Sequence, residues 1–207
     1  NLNANATRAM VVKEPLLVRI VNLKAPVTVS VDNNPTKEDG GSHEVTLTPE
    51  IYIEKSDFSI DPPPKYYRLK PEGMVRLKGA YIVKYLSHET DDKGNVTQVN
   101  CEYIEDSMSG GANAGIKVKG VLHWAPADAM DVTINDYDYL LDEVEDGRDF
   151  GERLNPVTKV VYHGKAEPFL KEAAAYDRFQ FMRLGYYMKN KKGEYNLIVG
   201  LKDSYKG

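Results

Sequence analysis

The segment from residue 65 to residue 84 combines basic and aromatic side chains in a pattern suited to single-stranded nucleic acid. It holds six basic residues against one acidic residue. Basic side chains bind phosphate groups, and aromatic rings stack on unpaired bases. Solvated charge and strand packing favour the same residue types, so both interpretations stay open at this point. The residues concerned are Lys65, Arg68, Lys70, Arg76, Lys78 and Lys84, with Tyr66, Tyr67, Tyr81 and Tyr85.

A second candidate lies in the run Arg-Phe-Gln-Phe-Met-Arg at 178–183. If this run is a strand, Gln180 and Met182 share one face, because successive side chains alternate. A glutamine on an accessible face bonds a base edge both as donor and as acceptor. A polar strand face without any ligand is the commoner explanation, and the pattern by itself does not exclude it.

The charge of the chain is segregated. The net charge of −4 argues mildly against nucleic-acid binding, but it hides eight acidic residues against one basic residue at 136–152. The basic segment can therefore face a polyanion while the acidic segment faces solvent.

Cys101 is the single cysteine, which excludes an internal disulfide framework and is compatible with a reducing compartment. No apolar run approaches the roughly 18 residues of a membrane span, so no membrane partner is expected.

Catalytic and metal-binding patterns are missing from the sequence. The four histidines have no ligand spacing, and no phosphate-binding Gly-x-x-x-x-Gly-Lys-Ser/Thr loop or Gly-x-Ser-x-Gly turn occurs. We therefore expect no catalytic residue and no metal in this segment. The chain opens on Asn-Leu-Asn without Met, and it reads as part of a longer polypeptide.

The elements that must position these residues are predominantly strands. Alternating apolar and polar residues predict a long strand over 74–86 with a bulge at Gly79, and another strand over 96–103. A turn at 91–95 joins them, and a further strand-like run covers 178–188. Only 167–175 reads as a helix, and the glycine-rich loop 107–115 is a candidate boundary. Many short strands with turn signals favour β-barrels or sandwiches, and at this length two small barrels are favoured over one large barrel.

Six short motifs then identify a family. Arranged in order, they resemble the C-terminal anticodon-binding region of bacterial-type glutaminyl-tRNA synthetases, which are class I aminoacyl-tRNA synthetases. Each motif is modest alone, but the resemblance runs from about residue 3 to the end. The motifs are Asn-Ala-Thr-Arg-Ala-Met-Val-Val at 5–12, Tyr-Arg-Leu at 67–69, Val-Arg-Leu-Lys-Gly-Ala-Tyr-Ile-Val-Lys at 75–84, Lys-Val-Lys-Gly-Val-Leu-His-Trp at 117–124, Phe-Gln-Phe-Met-Arg-Leu-Gly-Tyr-Tyr at 179–187 and Val-Gly-Leu-Lys-Asp at 199–203.

The resemblance implies an all-β fold of two small, ribosomal L25-like β-barrels with a few short helices. We assign 1–115 to the first barrel and 116–207 to the second, and leave open an exchange of terminal strands between them. The family's barrels grip the anticodon loop of the glutamine tRNA. The parent enzyme esterifies glutamine to that tRNA with ATP in an upstream catalytic domain. This segment should therefore bind RNA without a cofactor and be inactive alone, in a cytoplasmic, monomeric protein.

Residue roles also follow from the resemblance. Arg8 and Gln180 match the pair that holds the middle anticodon base, a uracil, whose two carbonyls and one N–H complement them. Arg68 matches an arginine that reads the third base, a guanine, by the usual bidentate contact. Arg76 and Lys78 match a basic pair near the first base. Pro35 matches a loop residue near the pocket of the middle base. Lys65 and Arg183 match positions whose side chains line the same anticodon loop.

Three positions depart from the family pattern. Tyr67 stands where a basic residue is usual and could stack on a base instead. Lys78 replaces an arginine and loses the planar bidentate fork. Met182 stands where an acidic residue is familiar. These departures concern the contacts to the first and third bases.

Three other functions remain as alternatives. One is the anticodon-binding region of an archaeal or eukaryotic type glutamyl-tRNA synthetase. Another is a free-standing ribosomal RNA-binding protein with an L25-like barrel. The last is a carbohydrate-binding or structural β-sandwich, which would show no salt-sensitive RNA affinity.

Overall fold

The computed structural model describes residues 2–138, 149 and 153–201, so most of the acidic segment lies outside the described residues. The all-β expectation is confirmed. None of the helices in the described part is long and apolar enough to cross a membrane. Within the described ranges, the short helices given bounds are α1 (Leu2–Asn5) and the 3₁₀ helices Lys55–Asp57 and Pro168–Glu172. The strands are β1 (Thr7–Ala9), β2 (Val11–Val12), β3 (Pro15–Ile20), β4 (Val27–Asp32), β5 (Ser42–Leu47), β6 (Glu50–Glu54), β7 (Met74–Leu77), β8 (Ile82–Thr90), β9 (Val96–Tyr103), β10 (Val121–Leu122), β11 (Ala125–Pro126), β12 (Met130–Tyr137), β13 (Lys159–Ala166), β14 (Arg178–Phe181), β15 (Gly185–Lys189) and β16 (Tyr195–Gly200).

Among the described residues, two seven-stranded sheets form the body of the molecule, and each is barrel-like. The first barrel has the strand order β10-β7-β8-β9-β3-β6-β11. Its two edge strands, β10 and β11, are separated in sequence by only His123 and Trp124. Because the chain itself joins the two edges, the sheet must curve round on itself. Both closing residues are buried, and Trp124 is fully so.

The second barrel closes by the same device. Its strand order is β1-β14-β15-β16-β12-β13-β2, and the edge strands β1 and β2 are separated only by Met10. The beginning of the chain therefore completes a sheet whose other strands come from its second half. The division of the chain at residue 115 stays a prediction.

The hairpin of β4 and β5 forms a separate two-stranded sheet against the first barrel. Its inward residues Val29, Val31 and Val45 belong to the first barrel's core. Met10 and Met182, which lie in second-barrel segments, also join that core. These methionines bury apolar surface between the two barrels and so hold them together.

Two predicted long strands are wrong, because each contains a tight turn. The run 74–86 is split into β7 and β8, and Gly79 in the turn has a φ of 70° that favours glycine. The run 178–188 is split into β14 and β15, with Arg183 at a φ of 66°. The helix expected over 167–175 is a 3₁₀ helix over Pro168–Glu172. The strand over 96–103 and the turn at 91–95 are confirmed.

The environment of Cys101 yields a first prediction. Burial in β9 raises the pKa of its thiol from 9.0 to about 12. Because the thiolate is the reactive form, iodoacetamide at about pH 8 should label the native protein very slowly. The same reaction in urea, where the thiol regains its ordinary pKa, serves as the control and should go to completion. Mass spectrometry measures the extent of labelling over time. Fast labelling of the native protein would contradict this burial.

Candidate nucleic-acid interface

Arg8 and Gln180 form a side-chain pair at the junction of the barrels. β1 lies parallel to β14, with Arg8 opposite Gln180 in register. Arg8 Nε donates to Gln180 Oε1 at 3.1 Å, and both residues are half-buried. The structure therefore places the two side chains together, and their role at a base stays a prediction. Gln180 Oε1 keeps a second lone pair, so the pair can offer a ligand N–H donors and one acceptor.

A cavity of about 260 Å³ opens beside this pair, and we call it the uracil cavity after its expected ligand. Its charged lining comes from Arg8, Lys78 and Arg183, all three of which are predicted RNA-binding residues. An apolar wall complements these polar groups, as is usual in ligand pockets. His123 and Val121, just before the first barrel closes, were not predicted. The full lining is Arg8, Lys78, Val121, His123, Gln180, Met182 and Arg183.

Pro35 lies outside the lining of the uracil cavity but close to the strand that carries Arg8. It is exposed at the tip of the β4–β5 hairpin. The backbone N–H of Arg8 donates to the carbonyl of Asn33 at 2.7 Å. The buried side chain of Asn34 donates to the carbonyl of Asn3 at 3.0 Å. These bonds fix the hairpin tip, and Pro35 with it, against the first residues of the chain.

Lys65 and Arg68 line a second, larger cavity of about 580 Å³, which we call the guanine cavity after its expected ligand. Its wall includes Tyr67, which is 50% exposed, and Lys119, whose Nζ lies 4.9 Å from the centre of the Tyr67 ring. Lys117 and Lys119 were missed, although the Lys-Val-Lys spacing places both on one face of an extended chain. The basic residues of this cavity are Lys65, Arg68, Lys70, Lys117 and Lys119.

Gly120 allows the irregular segment that carries these lysines, just before β10, to approach the guanine cavity. A Cβ atom at this position would lie 2.0 Å from the carbonyl oxygen of Tyr67. No side chain fits at that distance, so only glycine lets the two backbones come so close. The carbonyl of Gly120 also accepts a bond from the N–H of Arg76 at 2.9 Å, which aligns Lys119 with β7.

Arg76 lines neither of these two cavities. Its guanidinium donates to the carbonyl oxygens of Ser107 at 2.6 Å and of Ala114 at 3.1 Å. These bonds tie down the glycine-rich loop 107–115. The structure thus separates Arg76 from Lys78, although the two residues are neighbours on one face of the predicted strand.

Arg183 is anchored through a buried carboxylate. Its Nη1 and Nη2 each lie 2.7 Å from an oxygen of Asp57, which is completely buried. Nη1 also lies 3.3 Å from Nδ1 of His123. Asp57 was not predicted to take part in the site, because nothing in the local sequence indicates that it pairs with an arginine 126 residues away.

Comparison with known proteins identifies the family of the chain. Residues 6–104 match a family model described as tRNA synthetases class I (E and Q), anti-codon binding domain. Residues 121–190 match a second model with the same description. Both barrels are therefore represented in the match.

Curated relatives extend the match over the whole chain. The glutamine–tRNA ligase of Aliivibrio fischeri strain MJ11 is 38% identical over 218 residues, covering 100% of this chain and 40% of that protein. The glutamine–tRNA ligase of Rhodopirellula baltica is 39% identical, covering 99% of this chain and 36% of that protein. The glutamine–tRNA ligase of Escherichia coli O157:H7 is 39% identical, covering 99% of this chain and 39% of that protein. The chain thus spans about 40% of the length of these relatives, and it belongs to the family of class I (E and Q) tRNA synthetase anticodon-binding domains.

Proposed function

We propose that the chain recognises the anticodon loop of the glutamine tRNA as part of a glutamine–tRNA ligase. In this proposal the whole protein esterifies glutamine to its tRNA with ATP, in a catalytic domain that is the chain's partner within the same polypeptide. The observation that carries the proposal is the Arg8–Gln180 pair at the mouth of the uracil cavity. Unstacked bases of single-stranded loops are commonly read in such pockets by hydrogen bonds to their edges.

The chemistry of the pair supports a uracil as the middle base. Uracil presents two carbonyl acceptors and one N–H donor. Arginine supplies donors only, and the glutamine amide supplies donors together with an acceptor oxygen. Cytosine presents a donor amine in place of one carbonyl, so a guanidinium facing that edge disfavours it.

The guanine cavity supports recognition of the third base. Arginine forms bidentate bonds with O6 and N7 of guanine, so Arg68 is the natural reader. Tyr67 supplies an exposed ring on which a base can stack. Lys65, Lys117 and Lys119 add positive charge for the neighbouring phosphates. For the first base we propose that Lys78 acts directly, while Arg76 acts by holding the loop 107–115.

The relatives favour this function over the alternatives. Those cited are glutamine–tRNA ligases, which supports glutamine over glutamate as the amino acid. A match over both barrels supports a synthetase domain over a free-standing ribosomal protein or a carbohydrate-binding sandwich. With this function we also propose a monomer that works in the cytoplasm, where translation takes place.

Salt-dependent binding tests the proposal. Affinity for an anticodon stem-loop RNA should fall with salt, with a slope of about −0.7 per phosphate neutralised, because binding releases counterions from a single strand. Lys70→Gln and Lys119→Gln should each make this slope shallower by about that amount and weaken binding of every loop similarly. The measurement is fluorescence anisotropy at several KCl concentrations.

Lys93→Gln is the matched control for these lysine variants. Lys93 lies exposed in the turn between β8 and β9 and lines neither cavity. Its replacement should leave the slope unchanged. An affinity independent of salt, or equal slopes for all three variants, would contradict an RNA-binding role of the guanine cavity.

A further inference from the structure

Asp57 is a buried carboxylate shared by arginines of the two cavities. It ends the 3₁₀ helix Lys55–Asp57 after β6 and is 0% exposed. Arg183 bonds both of its oxygens at 2.7 Å, in the planar fork geometry that makes such pairs strong. Arg68 Nε lies 3.3 Å from Oδ1 of the same carboxylate. One negative charge therefore holds two guanidinium groups.

The three residues form a further contact between the two barrels. Asp57 and Arg68 come from the segment that follows β6 in the first barrel, whereas Arg183 lies in the turn between β14 and β15 of the second barrel. Arg68 lines the guanine cavity and Arg183 lines the uracil cavity. The carboxylate of Asp57 thus connects the two expected base sites through direct contacts on both sides.

The backbone conformation of Arg183 indicates that the surrounding structure holds this residue in place. Its φ of 66° lies in the left-handed region, which is unfavourable for a residue with a Cβ atom. Such conformations persist where the surroundings hold them, and they concentrate at ligand sites. Here the fork on Asp57 holds the side chain, and the turn presents it to the uracil cavity.

His123 and Glu54 fix the other side of the Arg183 guanidinium. Arginine has no acceptor, so Nδ1 of His123, 3.3 Å from Arg183 Nη1, must accept the bond. The ring proton then lies on Nε2, which faces Glu54 Oε1 at 3.2 Å. Glu54 in turn accepts the backbone N–H of Lys13 at 2.8 Å. With contacts on both sides, Arg183 cannot move without disturbing Asp57.

We propose that Asp57 is a positioning residue that couples recognition of the middle and third anticodon bases. The inference rests on the proposed function, since it names how the two base sites of that function depend on one another. Asp57 neutralises the repulsion between Arg68 and Arg183 and sets the orientation of both. A wrong base in one cavity displaces its arginine, and the shared carboxylate transmits that displacement to the other arginine.

The decisive experiment measures discrimination across the two cavities. Four anticodon stem-loop RNAs are used, with the cognate bases, a changed middle base, a changed third base, or both changes. In the unmodified protein the double change should weaken binding by less than the product of the single changes, because one displaced arginine already disables the other. In Asp57→Asn, discrimination at both positions should fall by about tenfold, from the loss of charge-assisted bonds. In this variant the loss of affinity from the double base change should equal the product of the losses from the two single changes.

Arg183→Lys keeps the test decisive if Asp57→Asn fails to fold. Lysine preserves the positive charge but loses the fork, so Asp57 no longer orients Arg68. Discrimination at the third base should therefore fall, although Arg183 lines only the uracil cavity. Lys78→Gln is the comparison from the same cavity, and among the described contacts Lys78 has none with Asp57. It should lower affinity without changing third-base discrimination.

Arg19→Lys is the matched control for the loss of an arginine fork. It alters the exposed pair of Arg19 with Glu50 and should leave all four affinities unchanged. Changes confined to the middle base in Arg183→Lys, or equal losses on every RNA, would overturn the coupling while leaving the proposed function intact. An unmodified protein that does not distinguish the four RNAs would instead overturn the proposed function.

Discussion

Replacing Gln180 by alanine should weaken binding of an anticodon loop with a middle uracil by roughly five- to 150-fold, which corresponds to about 1–3 kcal/mol. The physical reason is that, in the proposed function, the half-buried amide of Gln180 bonds the polar edge of the base at a place where water replaces it poorly. Its loss leaves both a base group and part of the Arg8 guanidinium without a partner. A loop with a middle cytosine should change less, because the lost bonds were specific to uracil.

The measurement is a matrix of protein variants against loops that differ only at the middle base. Arg8→Lys keeps the charge but loses the planar fork, so it should reduce discrimination while sparing most of the general affinity. Gln98→Ala is the matched control, since Gln98 is a buried glutamine in β9 whose amide bonds Glu89 and Asn100. Equal losses of affinity for every RNA would show that Gln180 and Arg8 support the structure or bind phosphate, and do not read the middle base.

Trp124→Ala should destabilise the first barrel by about 3–5 kcal/mol. Trp124 is completely buried at the point where the chain joins β10 to β11, so its loss leaves a cavity where the sheet closes. Its indole N–H also donates to the carbonyl of Lys78 at 3.0 Å. Urea unfolding followed by circular dichroism measures the change in unfolding free energy.

Two further variants separate the causes of that loss. Trp124→Phe retains much of the volume but leaves the Lys78 carbonyl without its donor, and should cost about 1–3 kcal/mol. Tyr137→Ala removes an aromatic side chain that is 47% exposed, and surface changes of this kind usually stay within about 0.5 kcal/mol. A Trp124→Ala protein as stable as Tyr137→Ala would show that the closure at Trp124 contributes little.

Several features of the fold follow from local patterns alone. The hairpin of β8 and β9 was predictable because Asp91 and Gly94 form a turn between two alternating runs. The turn at Gly193 between β15 and β16 was predictable for the same reason. Periodicity failed where an alternating run contains a turn, since apolar and polar residues alternate on both sides of Gly79 and of Arg183. Arg183 carries no turn signal at all, because its left-handed backbone is imposed by a partner distant in sequence.

The candidate site was only partly visible from residue types. The basic and aromatic segment at 65–84 identified Lys65 and Arg68, which do share a cavity. Arg76 shows the limit of the pattern, since its guanidinium is bonded to loop carbonyls away from Lys78. Lys119 and His123 were missed because the function of a lysine or a histidine depends on the residues that surround it in the folded chain.

The sequence by itself determined the β-rich character of the chain, its main hairpins, its family and the residue types able to read RNA. These properties depend on alternation, turn residues and motif order, all of which are local. Only the tertiary structure decided which of these residues meet. Arg8 and Gln180 are 172 positions apart, and Arg183 and Asp57 are 126 positions apart. The first contact arises because the second sheet closes on itself and brings β1 into register with β14, whereas the second arises because the two barrels pack against one another. No local pattern encodes either arrangement.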